Sequence, residues 1–153
     1  MTDVEIRDAN DADAGEILTL QRAAWVPEAQ RHGWFFIPPL VQTLDELRAD
    51  VAEQTVLVAV AGHRIVATVR GALVGTDWYV GRLGVVPDRQ RDGLGRLMLA
   101  AIEARAPQSA TRFTLTTGPK SVENIAFYER HGYHRVAGGD ELVHLAKDAR
   151  PTV

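Results

Sequence analysis

The sequence predicts an α+β protein with a mixed, mostly antiparallel central sheet of about seven strands, flanked by about four helices. Three observations predict it. Strand patterns arrive in uninterrupted runs, as hairpin-connected strands do. One helical pattern separates the fourth strand from the fifth, as a parallel crossover requires. The order β-α-α-β-β-β-α-β-α-β-β also lacks the helices between nearly all strands that a fully parallel, doubly wound sheet needs.

Val4-Glu5-Ile6-Arg7 alternates and predicts a short first strand. Asn10 and Asp11 cap a helix that sets Ile17, Leu18, Gln21 and Trp25 on or near one face. From residue 27 to 42 the pattern breaks at Pro27, Gly33, Pro38 and Pro39, although Trp34, Phe35, Phe36 and Ile37 are strongly apolar. A second helix starts at Thr43, because Thr43-Leu44-Asp45-Glu46 matches a capping box, and Leu44, Leu47 and Val51 face inward. Thr55–Val60 and Arg64–Val74 meet across Ala61-Gly62-His63, and Gly75-Thr76-Asp77 turns the chain into Trp78–Val86. In the third helix Leu94, Leu97, Met98, Ala101 and Ile102 follow the helical repeat, with Pro107 marking its end. Arg112–Thr116 is a fifth strand. Ser121 opens a fourth helix that Gly132 closes as its C′ residue, and Tyr133–Val136 and Glu141–Leu145 form a final antiparallel pair.

The 153 residues fit one domain, expected over 1–147, with 148–153 as a flexible tail. No apolar run approaches the ~20 residues that cross a bilayer, and the polar, acidic N-terminus is not expected to be a signal peptide. The chain has no cysteine, which excludes thiol catalysis, disulfides and thiolate metal sites and fits a reducing compartment. A cytoplasmic protein is the expectation. With 17 basic and 20 acidic side chains the net charge is −3, so no global field draws the protein to nucleic acid or acidic membranes. No histidine pair has metal-ligand spacing, and no metal is expected.

The most informative stretch runs from Leu83-Gly84-Val85-Val86-Pro87 through Gln90-Arg91-Asp92-Gly93-Leu94-Gly95-Arg96. An apolar strand stops at a proline and enters a helix with two glycines at its start. Glycine costs about 1 kcal/mol relative to alanine inside a helix, so the pair suggests backbone left bare for a ligand. A helix start offers unpaired N–H groups and the positive dipole end, which suits a phosphate. The dipole supplies only about 0.3–1 kcal/mol, so direct hydrogen bonds must provide most of the hold. A tight strand–helix turn that uses glycine only for packing is the alternative.

Two motifs together carry a resemblance. Gln90-Arg91-Asp92-Gly93-Leu94-Gly95 is similar to the Q/R-x-x-G-x-G/A signature of the GNAT superfamily of acetyl-CoA-dependent N-acetyltransferases. Asn124-Ile125-Ala126-Phe127-Tyr128-Glu129-Arg130-His131-Gly132-Tyr133 resembles that family's second signature, and the element order matches over nearly the whole chain. The resemblance implies that Leu83, Val85, Gln90, Arg91, Gly93, Gly95, Arg96 and Asn124 hold acetyl-CoA. It also implies a fourth strand that bulges and splays from the fifth, with Gly84 placed to permit the bulge and the Val85 N–H aimed at the thioester carbonyl.

Tyr128 is the implied general acid for the departing thiolate, since a phenol near pKa 10 and a thiol near about 8.5 can share a proton. A packed tyrosine is the alternative, as capping is for Asn124 and core packing for the Val85 side chain. Where Arg91 and Asp92 stand, family members often have glycine and a basic or small residue. Asp92 is expected to cap the third helix or to pair with a neighbouring arginine. Glu28, His32, Asp77 and Glu141 lie where the resemblance puts the acceptor cleft, and none stands out as the general base. Trp34 and Phe35 are candidate acceptor-binding residues, with core packing or a dimer contact as alternatives. If Arg70 or Arg82 faces the cleft, an acidic acceptor gains weight.

The implied activity is transfer of an acetyl group from acetyl-CoA to a primary amine of a small molecule or peptide. Without cysteine, direct attack in a ternary complex is the simplest route. A non-catalytic acyl-CoA-binding sensor or interaction module of the same fold is the competing reading. A homodimer is compatible with either.

Overall fold

The computed structural model describes residues 3–138 and 140–149. Its sheet contains β1 (Glu5–Asp8), β2 (Thr55–Ala61), β3 (Arg64–Val74), β4 (Asp77–Val85), β5 (Arg112–Thr117), β6 (His134–Val136) and β7 (Val143–Asp148), in the spatial order β1-β2-β3-β4-β5-β7-β6. Only β4 and β5 run parallel; the other neighbours are antiparallel. Gly62 (φ 63°) and Gly75 (φ 62°) take the left-handed conformation in the two hairpin turns. The expected mixed, mostly antiparallel sheet of seven strands is therefore present.

The helices are α1 (Ala14–His32), α2 (Pro38–Val41), α3 (Leu44–Glu53), α4 (Leu94–Glu103) and α5 (Val122–Arg130). The capping box at α3 forms as read: Glu46 N–H donates to Thr43 Oγ1 (3.2 Å) and Thr43 N–H to the Glu46 carboxylate (2.9 Å). Helices α1 and α3 cover one face of the sheet, where Arg70 of β3 reaches Asp50 of α3. Helix α4 covers the other, and Trp78 of β4 donates through its indole N–H to the Ile102 carbonyl (2.9 Å). Strands β2 and β3 are sandwiched between these layers, which is why their buried residues run almost without alternation.

Three elements depart from the sequence reading. Helix α1 continues through Pro27 to His32 instead of breaking. An interior proline costs about 3 kcal/mol. Here Ala23, whose carbonyl loses its partner, and Pro27 are both exposed, so water compensates. Beyond the proline, buried Ala29 and His32 hold the last turns down. The short α2 also forms inside the proline-rich stretch. Finally, β7 is displaced from the expected Glu141–Leu145 to Val143–Asp148. Its two charged terminal residues are accommodated: Lys147 donates to Glu103 (3.0 Å), and Asp148 sits at the sheet end opposite Arg112. Ala149 N–H then donates to the Thr111 carbonyl (3.1 Å); residues 150–153 of the expected tail lie outside the described residues.

Candidate active site

Strands β4 and β5 separate almost as soon as they meet. Their pairing is confined to Asp77–Arg112, Trp78–Phe113 and Tyr79–Thr114, after which β4 continues from Val80 to Val85 without β5 beside it. At the fork the Tyr79 hydroxyl lies 3.2 Å from Thr116 Oγ1. The register of β4 against β3 slips between Arg70–Gly81 and Thr68–Gly84, so Arg82 and Leu83 together oppose Val69. This is the expected bulge, but its pivot differs from the expected one. Arg82 carries the left-handed backbone (φ 52°), at about 1–2 kcal/mol for a non-glycine residue. Gly84 serves packing instead: a Cβ there would stand 2.8 Å from Trp25 Cζ3 and 3.3 Å from Ala24 Cβ.

Downstream of the bulge, Val86 N–H donates to the Val66 carbonyl (2.9 Å). In antiparallel pairing the adjacent Ala67–Val85 pair is then the non-hydrogen-bonded kind. The Val85 N–H therefore points away from β3, into the gap that β5 has vacated. The Gln90 side-chain amide reaches the Val85 carbonyl at 3.3 Å.

Between β4 and α4 the chain makes a cradle. Arg91 (φ 75°) and Gly93 (φ 81°) are both left-handed, and residues of this conformation curl successive amides toward one concave side. Gly93 is the N-cap of α4 and makes no side-chain cap. No backbone N–H from Gln90 to Arg96 finds an acceptor among the described residues. Gly95 tolerates contact, with Phe127 Cζ 3.5 Å from where its Cβ would be. Asp92 does not cap α4; its carboxylate pairs with Arg89 Nε (2.7 Å), which draws its charge to the flank of the cradle. Among the described residues, these amides are the feature of this loop that most resembles an anion site.

Tyr128 projects from α5 with its ring against Phe127 (5.2 Å between centroids) and Tyr133 (5.9 Å). Its hydroxyl has no hydrogen-bond partner among the described residues, yet it is not sealed from solvent. Burial, reinforced by Tyr79 and Glu28, holds the phenol well above the ordinary tyrosine range. Tyr133 packs as expected, donating to Glu103 (2.8 Å). Asn124 is exposed one turn before Tyr128 and caps nothing.

Residues 52–135 match the acetyltransferase (GNAT) domain family, over half of the chain. The chain belongs to the GNAT acetyltransferase family. It is an acyltransferase of the GNAT type, and the solved structures agree in fold. The PaiA N-acetyltransferase of Thermoplasma acidophilum, solved in complex with coenzyme A, superposes with a TM-score of 0.82 at 14% identity, covering 97% of this chain and 99% of that one. The ribosomal-protein-S18-alanine N-acetyltransferase of Escherichia coli gives 0.76 at 16% identity, covering 98% and 96%. The GNAT domain of PAT from S. lividans gives 0.77 at 22% identity, covering 95% and 90%. A comparison with curated proteins finds no match by sequence.

In this GNAT domain the end of α1 closes one side of the fork. Ser121, ahead of α5, donates to the Glu28 carboxylate, and His32 Nε2 accepts from Lys120 N–H (2.9 Å). Gly118 is bare because a Cβ would lie 2.4 Å from the His32 ring and 2.5 Å from Glu28. Of the candidate bases, Glu28 and His32 are thus committed to this clasp, and Asp77 pairs with Arg112 (2.9 Å). Trp34 stacks on His32 (4.4 Å) and, with Ile37, Asp140, Glu141 and Leu142, lines a shallow cavity of about 350 Å³. Phe35 (60% exposed) does not line that cavity and, like Phe36 (88%), is not core.

Sequence reasoning missed a polar cluster on the same face. Gln21, fully buried on α1, donates to the Pro39 carbonyl (2.9 Å) and accepts from Arg70 Nη2 (2.8 Å). Arg70 Nη1 donates to Asp50 (2.6 Å), while its Nε is buried with no partner, a deficit of roughly 1–3 kcal/mol. The available signal was a glutamine on the apolar stripe of the first helix.

Proposed function

We propose that the protein transfers an acetyl group from acetyl-CoA to a primary amine of a small molecule or peptide, by direct attack in a ternary complex. The single observation that carries this is a pair of separated donor sites, the Val85 N–H in the strand gap and the free amides of Gln90–Arg96. A pantetheine arm with a pyrophosphate at one end and a thioester at the other fits two such sites. In this reading the Arg91, Gly93, Gly95 and Arg96 amides hold the pyrophosphate, helped by the α4 dipole. Leu83, Gln90 and Asn124 flank the arm.

Acetyl-CoA supplies an acyl group already activated as a thioester. Val85 N–H, fixed by the β3 register, meets the carbonyl oxygen as negative charge develops on it; such a donor contributes about 2.7–4 kcal/mol where it has been removed in enzymes. Tyr128 keeps its proton at all ordinary pH, because burial disfavours the phenolate. It therefore acts by donating a hydrogen bond to the sulfur, and its raised pKa makes it a weaker acid than an exposed phenol. Trp34 and Phe35 stand on the acceptor side as candidate contacts. No helix among the described residues is long and apolar enough to cross a membrane.

The test is release of free thiol from acetyl-CoA with a panel of primary amines, run beside calorimetric titration with coenzyme A. Binding with amine-dependent thiol release is expected. Failure of coenzyme A to bind ends the reading; tight binding without release for any amine replaces it with the sensor.

A further inference from the structure

Three arginines converge on one glutamine beside the bulge of β4. Gln42 accepts from Arg22 Nη2 through its main-chain carbonyl (3.1 Å), and from Arg70 Nη2 (3.1 Å) and Arg82 Nη1 (2.9 Å) through Oε1. The same Oε1 also takes the Gln21 amide (3.1 Å). The one carboxylate among these partners is Asp50, already occupied by Arg70 Nη1 (2.6 Å) and the Gln42 amide (2.6 Å). Every acceptor in the cluster is taken, and positive charge is in excess.

The excess is most exposed to strain at Arg70, 4% exposed, whose Nε has no acceptor. Desolvation, and then the like charge of Arg82, push its guanidinium down to about 10. Of the two strand arginines Arg82 is the more accessible, and Arg22, on α1, is exposed. Arg82 spends only Nη1 on the protein; its Nε and Nη2 have no acceptor among the described residues and, unlike Arg70 Nε, are not sealed from solvent. The bulge fixes where it points. Arg82 is the left-handed pivot of β4, three residues before Val85, so less than about 10 Å of strand separates it from the proposed oxyanion donor. Tyr79, at the fork, lies close enough to influence the titration of both Arg82 and Tyr128.

Resting on the acetyl-transfer reading, we infer that the acceptor is an amine carrying an oxyanion group, carboxylate or phosphate, which Arg82 binds and Arg70 supports from behind. An unpaired guanidinium fork matches either group with two parallel hydrogen bonds. The short span from Arg82 to Val85 places the amine and the anion in one small molecule or one terminal residue. A polyamine, or a lysine in a basic peptide, would meet three guanidiniums and is disfavoured.

Thiol release is measured with paired acceptors: glycine, β-alanine, aspartate and glutamate against their carboxamides, and phosphoethanolamine against ethanolamine. The charged member is expected to have at least a tenfold higher kcat/KM in at least one pair, and whether that pair is a carboxylate or the phosphate identifies the anion. Arg82→Gln should bring that ratio close to one, and Arg82→Lys, which keeps the charge without the fork, should leave it intermediate. If Arg82→Gln does not fold, the wild-type ratio and the Arg82→Lys ratio still decide. Wild-type ratios of one or below in every pair, or a ratio unmoved by these substitutions, overturn the inference. Should coenzyme A bind but no amine release thiol, transfer fails separately. The same acids are then added to the coenzyme-loaded protein: a rise in Tm over the uncharged partners, lost in Arg82→Gln, supports the anion site, and no rise with any acid overturns it.

Discussion

His32 accepts a hydrogen bond from the Lys120 main chain through Nε2 (2.9 Å), fastening the last turn of α1 to the loop ahead of α5. The His32 side chain is 1% exposed and stacks on Trp34, so removing it empties a packed site and ends the hydrogen bond. His32→Ala is expected to lower stability by about 1–3 kcal/mol in chemical denaturation, most of it from lost packing. Faster amide exchange should appear in the turns of α1 beyond Pro27. An unchanged midpoint would show that the clasp contributes nothing.

Gly84 is required for space. Its added Cβ would press on Trp25 and Ala24, so Gly84→Ala should cost about 1–3 kcal/mol by overpacking. The cost should shrink when Trp25→Leu is present, which a double-mutant cycle measures. Strict additivity would contradict the contact.

Gly93 and Gly95 should respond differently. Gly93 is left-handed (φ 81°), so Gly93→Ala strains the backbone by about 1–2 kcal/mol. Gly95 has only an ordinary contact with Phe127, so Gly95→Ala should hold stability or raise it by up to about 1 kcal/mol through helix propensity. It should nevertheless weaken coenzyme A at least tenfold in calorimetry. Undiminished affinity would show that Gly95 need not be bare.

Tyr128→Phe should lower kcat by about 10²-fold without lowering stability, because the hydroxyl has no protein partner among the described residues. The pH dependence has a definite sign. The folded phenol titrates above its unfolded value near 10, so its contribution to stability is fully present below that pH and is lost as pH rises beyond it. The alkaline loss of stability should be shallower in Tyr128→Phe than in wild type, and equal slopes would argue against the burial effect.

Much of the fold was legible because local chemistry and tertiary context agree. The Thr43–Glu46 capping box and the hairpin glycines are local devices, and they sit where the pattern puts them. Pro27 was misleading because its penalty is local whereas the anchoring of Glu28 and His32 beyond it comes from Ser121 and Lys120, which are distant in sequence. Lys147 and Asp148 hid the end of β7, since nothing nearby in sequence announces Glu103 as a partner. In the site, Gly93 and Gly95 were readable as bare backbone. The bulge pivot was not, because an arginine with positive φ carries no sequence mark, and Gly84 offered itself in its place. The arginine cluster was half-visible: Arg70 and Arg82 could be placed on strands, but only the bulge brings Arg82 to the glutamine, Gln42, that Arg70 also binds.

The three-pair seam between β4 and β5 makes the sheet two leaves. One leaf is β1 to β4, the other β5, β7 and β6, and main-chain bonding joins them only at one end, over residues 76–79 and 111–114. Beyond the Tyr79–Thr116 contact, the opening between them is spanned by ties on either side. Glu28–Ser121 and His32–Lys120 act from one side, Glu103–Lys147 and Glu103–Tyr133 from the other. The width of the opening becomes a property of those ties, so on the proposed acetyl-transfer reading a substitution at Glu103 or Ser121 would alter what the groove admits while every groove-lining residue stays the same.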